Sequence, residues 1–280
     1  MWSSKSLYSV VLFLRDPLGI YCLGPKGSFT YEAALSLGSN LVETNTISDV
    51  FEAVDSMPNR VGVVPIQNSL EGPVNETLDN LFVRKGVFVN RVVEHKIHLV
   101  LASHTGDQGF KRIYSHQHAI REVRRDLINS FGAEIVPVGS TSQAAMLASK
   151  DEYGAAICSK VAAELYGLKV ILDGLQEDNN ITKFGVISKH PSRIGDRTML
   201  LATVPHKPGG LLKFLEPFYE EGINLTMIYS RPLRGSVWQY YFLLEFEGCL
   251  EDSNVDRCLK RLPAVSESMR VCGSYPIQRV

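Results

Sequence analysis

Three segments of the sequence repeat one plan, and this repetition constrains the fold more than any other feature. Each segment has a short apolar run with strand character, then a loop of small hydroxylated or amide residues, then an amphipathic helix pattern. Strands that alternate with helices predict an α/β architecture with a mostly parallel sheet. The apolar runs begin at Ile20, Arg60 and Glu134, and the loops are residues 24–28, 67–69 and 139–141.

The C-terminal third follows a different pattern, which begins after a predicted domain boundary near residues 191–196. The order of elements there is strand, helix, strand, strand, helix, strand, as in ferredoxin-like folds. Residues 237–246 are the clearest strand, because alternate aromatic and leucine residues share one face. Pro217 falls inside the predicted helix 208–221 and should bend or shorten it.

The composition predicts a soluble globular protein with about two domains. Hydrophobic residues make up 45% of the 280 residues and charged residues 21%. The net charge is −1 and no basic block stands out, so we expect no nucleic-acid partner.

The cysteines and the N-terminus predict a cytoplasmic protein without a membrane partner. The five cysteines are widely spaced and include no Cys-x-x-Cys pair, which favours reduced thiols over disulfides or zinc ligands. The apolar run at residues 7–14 is too short to cross a bilayer, and Arg15-Asp16-Pro17 follows it in place of a cleavage site. We predict an extra strand or a disordered extension for residues 1–19.

The polar loops predict an anion-binding cleft. Loops that follow parallel strands meet at the carboxyl edge of a sheet, and helix N-termini there offer free N–H groups to an anion. Such a cleft suits a small dicarboxylate. Ordinary helix capping is the competing interpretation, and for any single Ser or Thr it is the simpler one.

Metal, nucleotide and serine-hydrolase chemistry lack sequence support. His116 and His118 could share one face of a strand and hold a metal, but a turn followed by a helix start explains them better. The sequence has no Gly-x-Gly-x-x-Gly after a strand, no P-loop, no His-Glu-x-x-His and no Gly-x-Ser-x-Gly. We therefore expect no bound metal.

Seven short segments carry a family resemblance. They are Gly-Pro-Lys-Gly-Ser-Phe at 24–29, Gly-Val-Val-Pro-Ile-Gln-Asn-Ser-Leu-Glu-Gly at 62–72, Tyr-Ser-His at 114–116, Ser-Thr at 140–141, Asn-Asn-Ile-Thr-Lys-Phe at 179–184, Pro-Gly-Gly-Leu-Leu at 208–212 and Ser-Arg-Pro at 230–232. In this order and spacing they resemble the prephenate dehydratase family, from about residue 20 to the C-terminus. The last two segments resemble the motifs of that family's regulatory ACT domain.

This resemblance implies a fold in two parts. A catalytic region of two α/β lobes, built like a type II periplasmic binding protein, would span residues 20–190, with lobe 1 at about 20–95 and 175–190 and lobe 2 at about 96–174. A ferredoxin-like βαββαβ ACT domain would span residues 196–280. The resemblance also implies an enzyme of phenylalanine biosynthesis that removes water and carbon dioxide from prephenate to give phenylpyruvate, without a cofactor.

Thr182 is the catalytic residue that the resemblance implies, because its hydroxyl would assist the departing ring hydroxyl. A β-branched residue in an ordinary strand is the alternative interpretation of Thr182. Lys183 would supply positive charge, and Phe184 would pack near the ring or seal the site. The implied substrate-binding residues are Lys26, Ser28, Phe29, Gln67, Asn68, Ser69, Ser115, His116, Ser140, Thr141, Lys183 and Phe184.

Several positions depart from the family pattern. Gln67 stands where the family has glutamate, which removes a negative charge from a cleft for a dianion but also a possible proton donor. Lys183 replaces arginine, so the charge is kept and the bidentate fork is lost. His118 replaces glutamine and could place an imidazole near the substrate. Tyr229 replaces the glutamate of the ACT-domain motif Glu-Ser-Arg-Pro.

The resemblance further implies L-phenylalanine as an allosteric ligand between two ACT domains, and hence a homodimer or homotetramer. Simple turn residues are the alternative for several of these positions. The implied regulatory residues are Gly209, Gly210, Leu211, Leu212, Asn224, Tyr229, Ser230, Arg231 and Pro232.

Three other functions stay open at this stage. They are arogenate dehydratase, prephenate decarboxylase and a non-catalytic amino-acid sensor. Retained Thr182 and the ACT domain argue against a decarboxylase, and turnover would exclude a sensor.

Overall fold

The computed structural model describes residues 18–123, 130–176, 178–233 and 238–280, which three β-sheets organise. The first part of the chain builds lobe 1 from the first two strand–loop–helix segments. Its elements are β1 (Ile20–Leu23), α1 (Phe29–Leu35), β2 (Leu41–Thr44), α2 (Ile47–Ser56), β3 (Val61–Asn68), β4 (Gly72–Pro73), α3 (Asn75–Val83) and β5 (Phe88–Lys96).

The chain then crosses into lobe 2 and later returns. Lobe 2 contains β6 (Val100–Ser103), β7 (Arg112–His116), α4 (Gln117–Glu122), β8 (Glu134–Val138), α5 (Thr141–Ala148), β9 (Gly154–Cys158), α6 (Lys160–Leu165) and β10 (Lys169–Asp173). The chain re-enters lobe 1 as β11 (Ile181–Ser188). Two connections therefore join the lobes, and the predicted two-lobed α/β fold is confirmed.

Both lobe sheets contain parallel and antiparallel strand pairs. The prediction of a mostly parallel sheet was therefore correct for only part of each sheet. β2, β1 and β3 run parallel, whereas β11 lies antiparallel between β3 and β5. In lobe 2, β8, β7 and β9 run parallel, and β6 and β10 run antiparallel to their neighbours. The strands that follow the crossings between the lobes, β6 and β11, are not preceded by a crossover helix. Without such a helix these strands pair antiparallel with their neighbours.

The C-terminal domain has the predicted βαββαβ order. Its elements are β12 (Arg197–Thr203), α7 (Gly210–Glu220), β13 (Leu225–Pro232), β14 (Tyr240–Glu247), α8 (Ser253–Arg261), a 3-10 turn (Leu262–Ala264) and β15 (Ser268–Tyr275). They form one antiparallel sheet in the order β13-β14-β12-β15.

Two details of this domain differ from expectation. α7 continues through Pro217 to Glu220, so the proline does not shorten the helix. Burial of the apolar face that carries Phe214 and Phe218 offsets the one hydrogen bond that proline cannot make. β14 begins at Tyr240, later than predicted, because Trp238 has a left-handed φ of 61° and lies in a turn.

The C-terminal domain packs on lobe 1 through the sheet face that its helices leave open. One core joins Val50 and Leu78 of lobe 1 with Leu201 and Leu243 of the C-terminal domain. After β15 the chain adds a last strand, β16 (Ile277–Arg279), to the sheet of lobe 1, parallel to β5. The domain is thus attached to lobe 1 by a shared core and by a shared sheet.

The described residues include no helix that is long and apolar enough to cross a membrane. The predicted N-terminal extension falls mostly on residues 1–17, which lie outside the described part of the chain.

Candidate active site

A cleft with a volume of about 1030 Å³ lies between the lobes. Its walls come from the loops that follow β1, β3, β7 and β8, and from the start of β11. The predicted site residues that line it are Ser28, Phe29, Asn68, His116, Ser140, Thr141, Thr182 and Phe184. The strand-to-helix loops therefore meet at one site, as the sequence pattern predicted.

Thr182 projects from β11 into this cleft and is 8% exposed. Its Oγ1 accepts a hydrogen bond of 3.1 Å from Asn68 Nδ2, across the ladder that pairs β11 with β3. Because this bond occupies a lone pair of Oγ1, the hydroxyl proton of Thr182 can be donated into the cleft. Thr182 can thus act as a hydrogen-bond donor toward a bound molecule.

The backbone fixes the orientation of the Asn68 amide. Its Oδ1 accepts from the N–H groups of Leu70 at 2.8 Å and Glu71 at 3.0 Å, so its Nδ2 must face Thr182. The same Nδ2 donates to Asn180 Oδ1 at 2.7 Å, and Asn180 is fully buried. Sequence reasoning missed Asn180 as part of the site, although its position two residues before Thr182 places both on one face of an extended chain.

Phe184 and Phe29 form an apolar wall beside Thr182. Phe184 is 2% exposed, and the ring of His95 lies 6.3 Å from it and 6.2 Å from Phe29. His95 belongs to the neighbouring strand β5, where it is opposite Thr182. Its ring lies 3.5 Å from the Glu32 carboxylate. A planar ring bound in the cleft would meet this wall.

Lobe 2 presents helix starts to the cleft. Ser140 is the N-cap of α5, and its Oγ accepts from Gln143 N–H at 3.0 Å. The backbone N–H groups of the first turn, beginning at Thr141, have no partner within the helix and can bind a carboxylate. The predicted N-cap at this position is confirmed.

His116 and His118 begin α4, as the sequence pattern predicted. His116 Nδ1 accepts from the N–H of His118 at 3.3 Å. Burial, together with the nearby His118 and Arg121, lowers the pKa of His116 below its ordinary value. Its ring is therefore neutral at pH 7, and Nε2 carries the proton that can be donated toward the cleft.

The charge at the cleft differs from the expectation for a dianion site. Glu71 and Glu76 line it, whereas no Lys or Arg is among the described lining residues. Arg121 of lobe 2 reaches Glu71 of lobe 1 with a 3.2 Å ion pair, which bridges the two lobes. The described walls therefore offer backbone N–H groups and hydroxyls, in place of side-chain cations, as donors to an anion.

Four of the predicted ligands are not among the residues that line the cleft. Ser69 Oγ accepts from Ile181 N–H and donates to the Asn179 carbonyl, which ties the loop after β3 to the start of β11. Ser115 is fully buried and donates to the Ile157 carbonyl. Ser115 faces the interior of lobe 2, and neither residue is among those that line the cleft, so contact of Ser69 or Ser115 with a substrate stays a prediction.

The other two are Lys26 and Gln67. Lys26 uses its backbone, since its N–H donates to Glu43 and its carbonyl accepts from Ser142 of lobe 2. Gln67 pairs with Lys183 across the ladder. Neither residue lines the cleft.

Lys183 lies on the face of β11 opposite to Thr182 and is not among the residues that line the cleft, so the charge it would supply there stays a prediction. Its Nζ forms a 3.1 Å ion pair with Glu245 of the C-terminal domain. Burial alone would raise the pKa of Glu245, but Lys183 and hydrogen bonds from Thr226 and Tyr275 hold this pKa below its ordinary value. Strand alternation explains the placement, because neighbours of a cleft residue must face away from the cleft.

The predicted regulatory residues divide between two faces of the C-terminal domain. Tyr229 and Arg231 face lobe 1, where they bind Asn75 and Asp79. Leu212 is 72% exposed, and Ser230 and Pro232 are exposed too. The sequence could not separate these groups, because alternation reveals which residues share a face but not what covers it.

Comparison with family models and named proteins gives consistent matches. A family model described as prephenate dehydratase matches residues 20–192, and one described as ACT domain matches residues 198–264. A bifunctional chorismate mutase/prephenate dehydratase of Aquifex aeolicus is 36% identical over 97% of this chain and 77% of that protein. A prephenate dehydratase of Methanocaldococcus jannaschii is 34% identical over 92% of this chain and 97% of that protein.

Solved structures give the same match. The prephenate dehydratase of Arthrobacter aurescens in complex with L-Phe has a TM-score of 0.83 at 30% identity, over 92% of this chain and 90% of that chain. A structure described as GqqA, a novel type of quorum quenching acylases, has a TM-score of 0.84 at 27% identity, over 92% of this chain and 98% of that chain.

Proposed function

The chain belongs to the prephenate dehydratase family and carries a C-terminal ACT domain, and from this premise we propose how its cleft acts on prephenate. The enzyme is a hydro-lyase that converts prephenate to phenylpyruvate for phenylalanine biosynthesis. The carbon–carbon bond to the ring carboxylate breaks, its electron pair moves into the ring, and the ring hydroxyl departs. The products are carbon dioxide, water and an aromatic ring.

Thr182 assists the departing hydroxyl in this proposal. A free threonine is a very weak acid, so its contribution comes from a hydrogen bond that is already oriented before the C–O bond breaks. The observation that carries the proposal is the 3.1 Å bond from Asn68 Nδ2 to Thr182 Oγ1, which leaves the hydroxyl proton available to the leaving group. The proton that forms water is finally replaced from solvent.

The remaining walls hold the substrate. The carboxylates bind at the start of α5, near Ser140 and Thr141, and at the neutral His116. The ring packs against Phe29 and Phe184. This arrangement favours neutral donors over cations, so the carboxylate that must leave as carbon dioxide is not held as a stable ion pair.

The test is turnover of prephenate by the purified protein, followed as phenylpyruvate absorbance in alkali. Thr182→Val keeps the shape and removes the hydroxyl, and we expect kcat to fall about a hundredfold or more. Thr182→Ser keeps the hydroxyl and is the matched control, with kcat near that of the wild type. Equal rates for the valine and serine variants would remove Thr182 from the mechanism.

The same assay separates the competing functions. Arogenate carries an amino group where prephenate has the side-chain keto group. A higher kcat/KM for arogenate than for prephenate would make arogenate the preferred substrate. An acyl amide is a third substrate to test, because one structural relative is described as an acylase. Binding without product from any of them would favour a sensor.

Phenylalanine is the proposed allosteric ligand of the ACT domain. The structure of a relative in complex with L-Phe supports this ligand. The exposed apolar side chains of Leu212, Ile228 and Tyr240 lie on the α7 and β13 side of the domain and support pairing with a second copy. We expect a homodimer or homotetramer by light scattering, and a monomer at micromolar concentration would contradict it.

A cytoplasmic location completes the proposal. All five cysteines are buried free thiols, and burial raises the pKa of Cys22 to about 11 and of Cys158 to about 12. Thiols of this kind are stable in a reducing compartment.

A further inference from the structure

The Lys183–Glu245 ion pair connects the catalytic strand to the C-terminal domain. Glu245 lies in the middle of β14 and is 1% exposed. Its Oε1 accepts from Lys183 Nζ at 3.1 Å and from Thr226 Oγ1 at 2.8 Å, and its Oε2 accepts from the Tyr275 hydroxyl at 2.8 Å. A carboxylate with this many donors is held in one place.

Lys183 connects the fixed Glu245 carboxylate to the strand that lines the cleft. It is the residue between Thr182 and Phe184, both of which line the cleft from the other face of β11. A side chain held from one face of a strand restricts the backbone, and hence the direction of its two neighbours.

The pairing of β11 is irregular on one side at this point. The pairing of β11 with β3 changes register between Lys183 and Phe184, so that Lys183 is opposite Gln67 and Phe184 is opposite Pro65. An irregularity of this kind leaves the ladder locally more deformable and can redirect a side chain. β11 keeps a regular register with β5 from Ile181 to Val186, so the irregularity reduces the constraint on Thr182 only on the side of β3.

We infer that Glu245 and Lys183 are positioning residues for the dehydration, through which the C-terminal domain holds Thr182 in its reactive orientation. This inference rests on the proposed function. It assigns to the ACT domain a part in basal catalysis that is separate from any response to phenylalanine. It also gives Lys183 a role that requires no contact with the substrate.

The experiment compares the wild type, Lys183→Met, Glu245→Gln and the double variant Lys183→Met/Glu245→Gln. For each, kcat and KM for prephenate are measured together with the urea midpoint of unfolding. We expect each single variant to lose about tenfold or more in kcat with KM within about twofold of the wild type. Lys183→Met should also be less stable, because it leaves the Glu245 carboxylate buried without its cation.

The double variant distinguishes positioning from a purely structural role. It removes both charges, so its stability should recover relative to Lys183→Met, while its kcat should stay low. Lys183→Arg keeps a cation within reach of Glu245 and should retain kcat within about threefold. Lys189→Met is the matched control, since Lys189 follows β11 and pairs with Asp55 at 3.4 Å, away from the cleft. Its kcat should match that of the wild type.

Several results would overturn the inference. Recovery of kcat together with stability in the double variant would make the pair merely structural. A raised KM with unchanged kcat in Lys183→Met would mean that Lys183 binds substrate, and an unchanged kcat in Glu245→Gln would remove the C-terminal domain from basal catalysis. A folded wild type that does not turn over prephenate would instead overturn the proposed function, and the positioning role with it.

Discussion

Arg231 of the C-terminal domain binds Asp79 of lobe 1 through two hydrogen bonds, from Nε to Oδ1 at 3.1 Å and from Nη2 to Oδ2 at 2.6 Å. The Tyr241 hydroxyl donates to the same carboxylate at 2.7 Å. Asp79 lies in α3, and the first residues of α3, Asn75 and Glu76, line the cleft. The strand with the Ser-Arg-Pro motif is therefore in direct contact with a helix of the candidate active site.

Asp79→Asn should weaken the coupling between phenylalanine and turnover. The variant removes the negative charge from the bidentate Arg231–Asp79 pair. The contact between β13 and α3 is then weaker, so a movement of β13 shifts α3 less. We expect the phenylalanine concentration for half-maximal effect to change by about fivefold or more. The measurement is turnover of prephenate across a phenylalanine titration.

Glu247→Gln is the control for this prediction. It breaks the 3.1 Å pair between Arg197 and Glu247 in the same domain, which does not involve lobe 1. Its phenylalanine response should match that of the wild type. An unchanged response in Asp79→Asn would mean that the effect of phenylalanine reaches the cleft by another contact.

Asn68→Asp should reduce kcat by about tenfold to a hundredfold. A carboxylate cannot donate to Thr182 Oγ1, so the Thr182 hydroxyl would donate to the new carboxylate and turn its proton away from the cleft. The carboxylate would also face the buried Asn180 Oδ1, which is 2.7 Å from Asn68 Nδ2. Steady-state kinetics with prephenate measure the effect.

Ser69→Ala provides the comparison for that variant. Ser69 is the next residue, but it ties two backbone segments together and lies outside the cleft. We expect a lower urea midpoint with kcat within about threefold of the wild type. A larger kcat loss for Ser69→Ala than for Asn68→Asp would be incompatible with this description of the site.

Gly273→Ala should weaken the attachment of the C-terminal domain to lobe 1. Gly273 has a φ of 143°, and a Cβ there would lie 2.1 Å from the Val89 carbonyl oxygen of β5. The backbones must separate to admit the methyl group, and this clash adds to the strain of the φ value. We expect a total cost of about 2–3 kcal/mol in the free energy of unfolding. Urea denaturation measures it.

Gly222→Ala separates this clash from simple backbone strain. Gly222 follows α7 with a φ of 64°, and nothing lies within 4 Å of a Cβ built there. Strain alone should cost about 1 kcal/mol. Equal losses in the two variants would show that close contact with Val89 is unimportant.

Asp151 should make lobe 2 sensitive to acid. Hydrogen bonds from Arg112 at 2.8 and 2.7 Å, opposed in part by burial, lower the pKa of Asp151 from 3.8 to about 2. The folded state therefore favours the ionised form, so this stabilisation is fully present above about pH 4 and is lost as pH falls toward 2. Solvent screening at the partly exposed Arg112 limits the stabilisation that Asp151 provides to about 1 kcal/mol.

The check is the pH dependence of urea unfolding for Asp151→Asn. The difference in stability between wild type and variant should shrink steadily between pH 4 and pH 2. Asp256→Asn removes the acid of an exposed helix pair with Lys260 and is the control for the loss of one surface carboxylate. A constant difference for Asp151→Asn would mean that the Arg112 contact is not coupled to folding.

Much of the architecture was predictable because it depends on local signals. Strand–loop–helix periodicity predicted an α/β architecture, and the family resemblance implied its two lobes. The Ser140 cap and the start of α4 at His116 followed from short-range hydrogen bonding. Strand direction was not predictable in the same way. Whether β11 runs with or against β3 depends on how the chain returns from lobe 2, which local sequence does not encode.

The sequence by itself determined the local features of the cleft, such as the capped start of α5, and its family motifs predicted Thr182 and Asn68 as site residues. Only the tertiary structure decided which way the neighbouring residues face and what they contact. Lys183 and Gln67 alternate away from the cleft, and docking of the C-terminal domain supplies Glu245 as the partner of Lys183. The physical reason is that alternation along a strand defines two faces, whereas the packing of distant parts of the chain determines which face meets the substrate and which is buried.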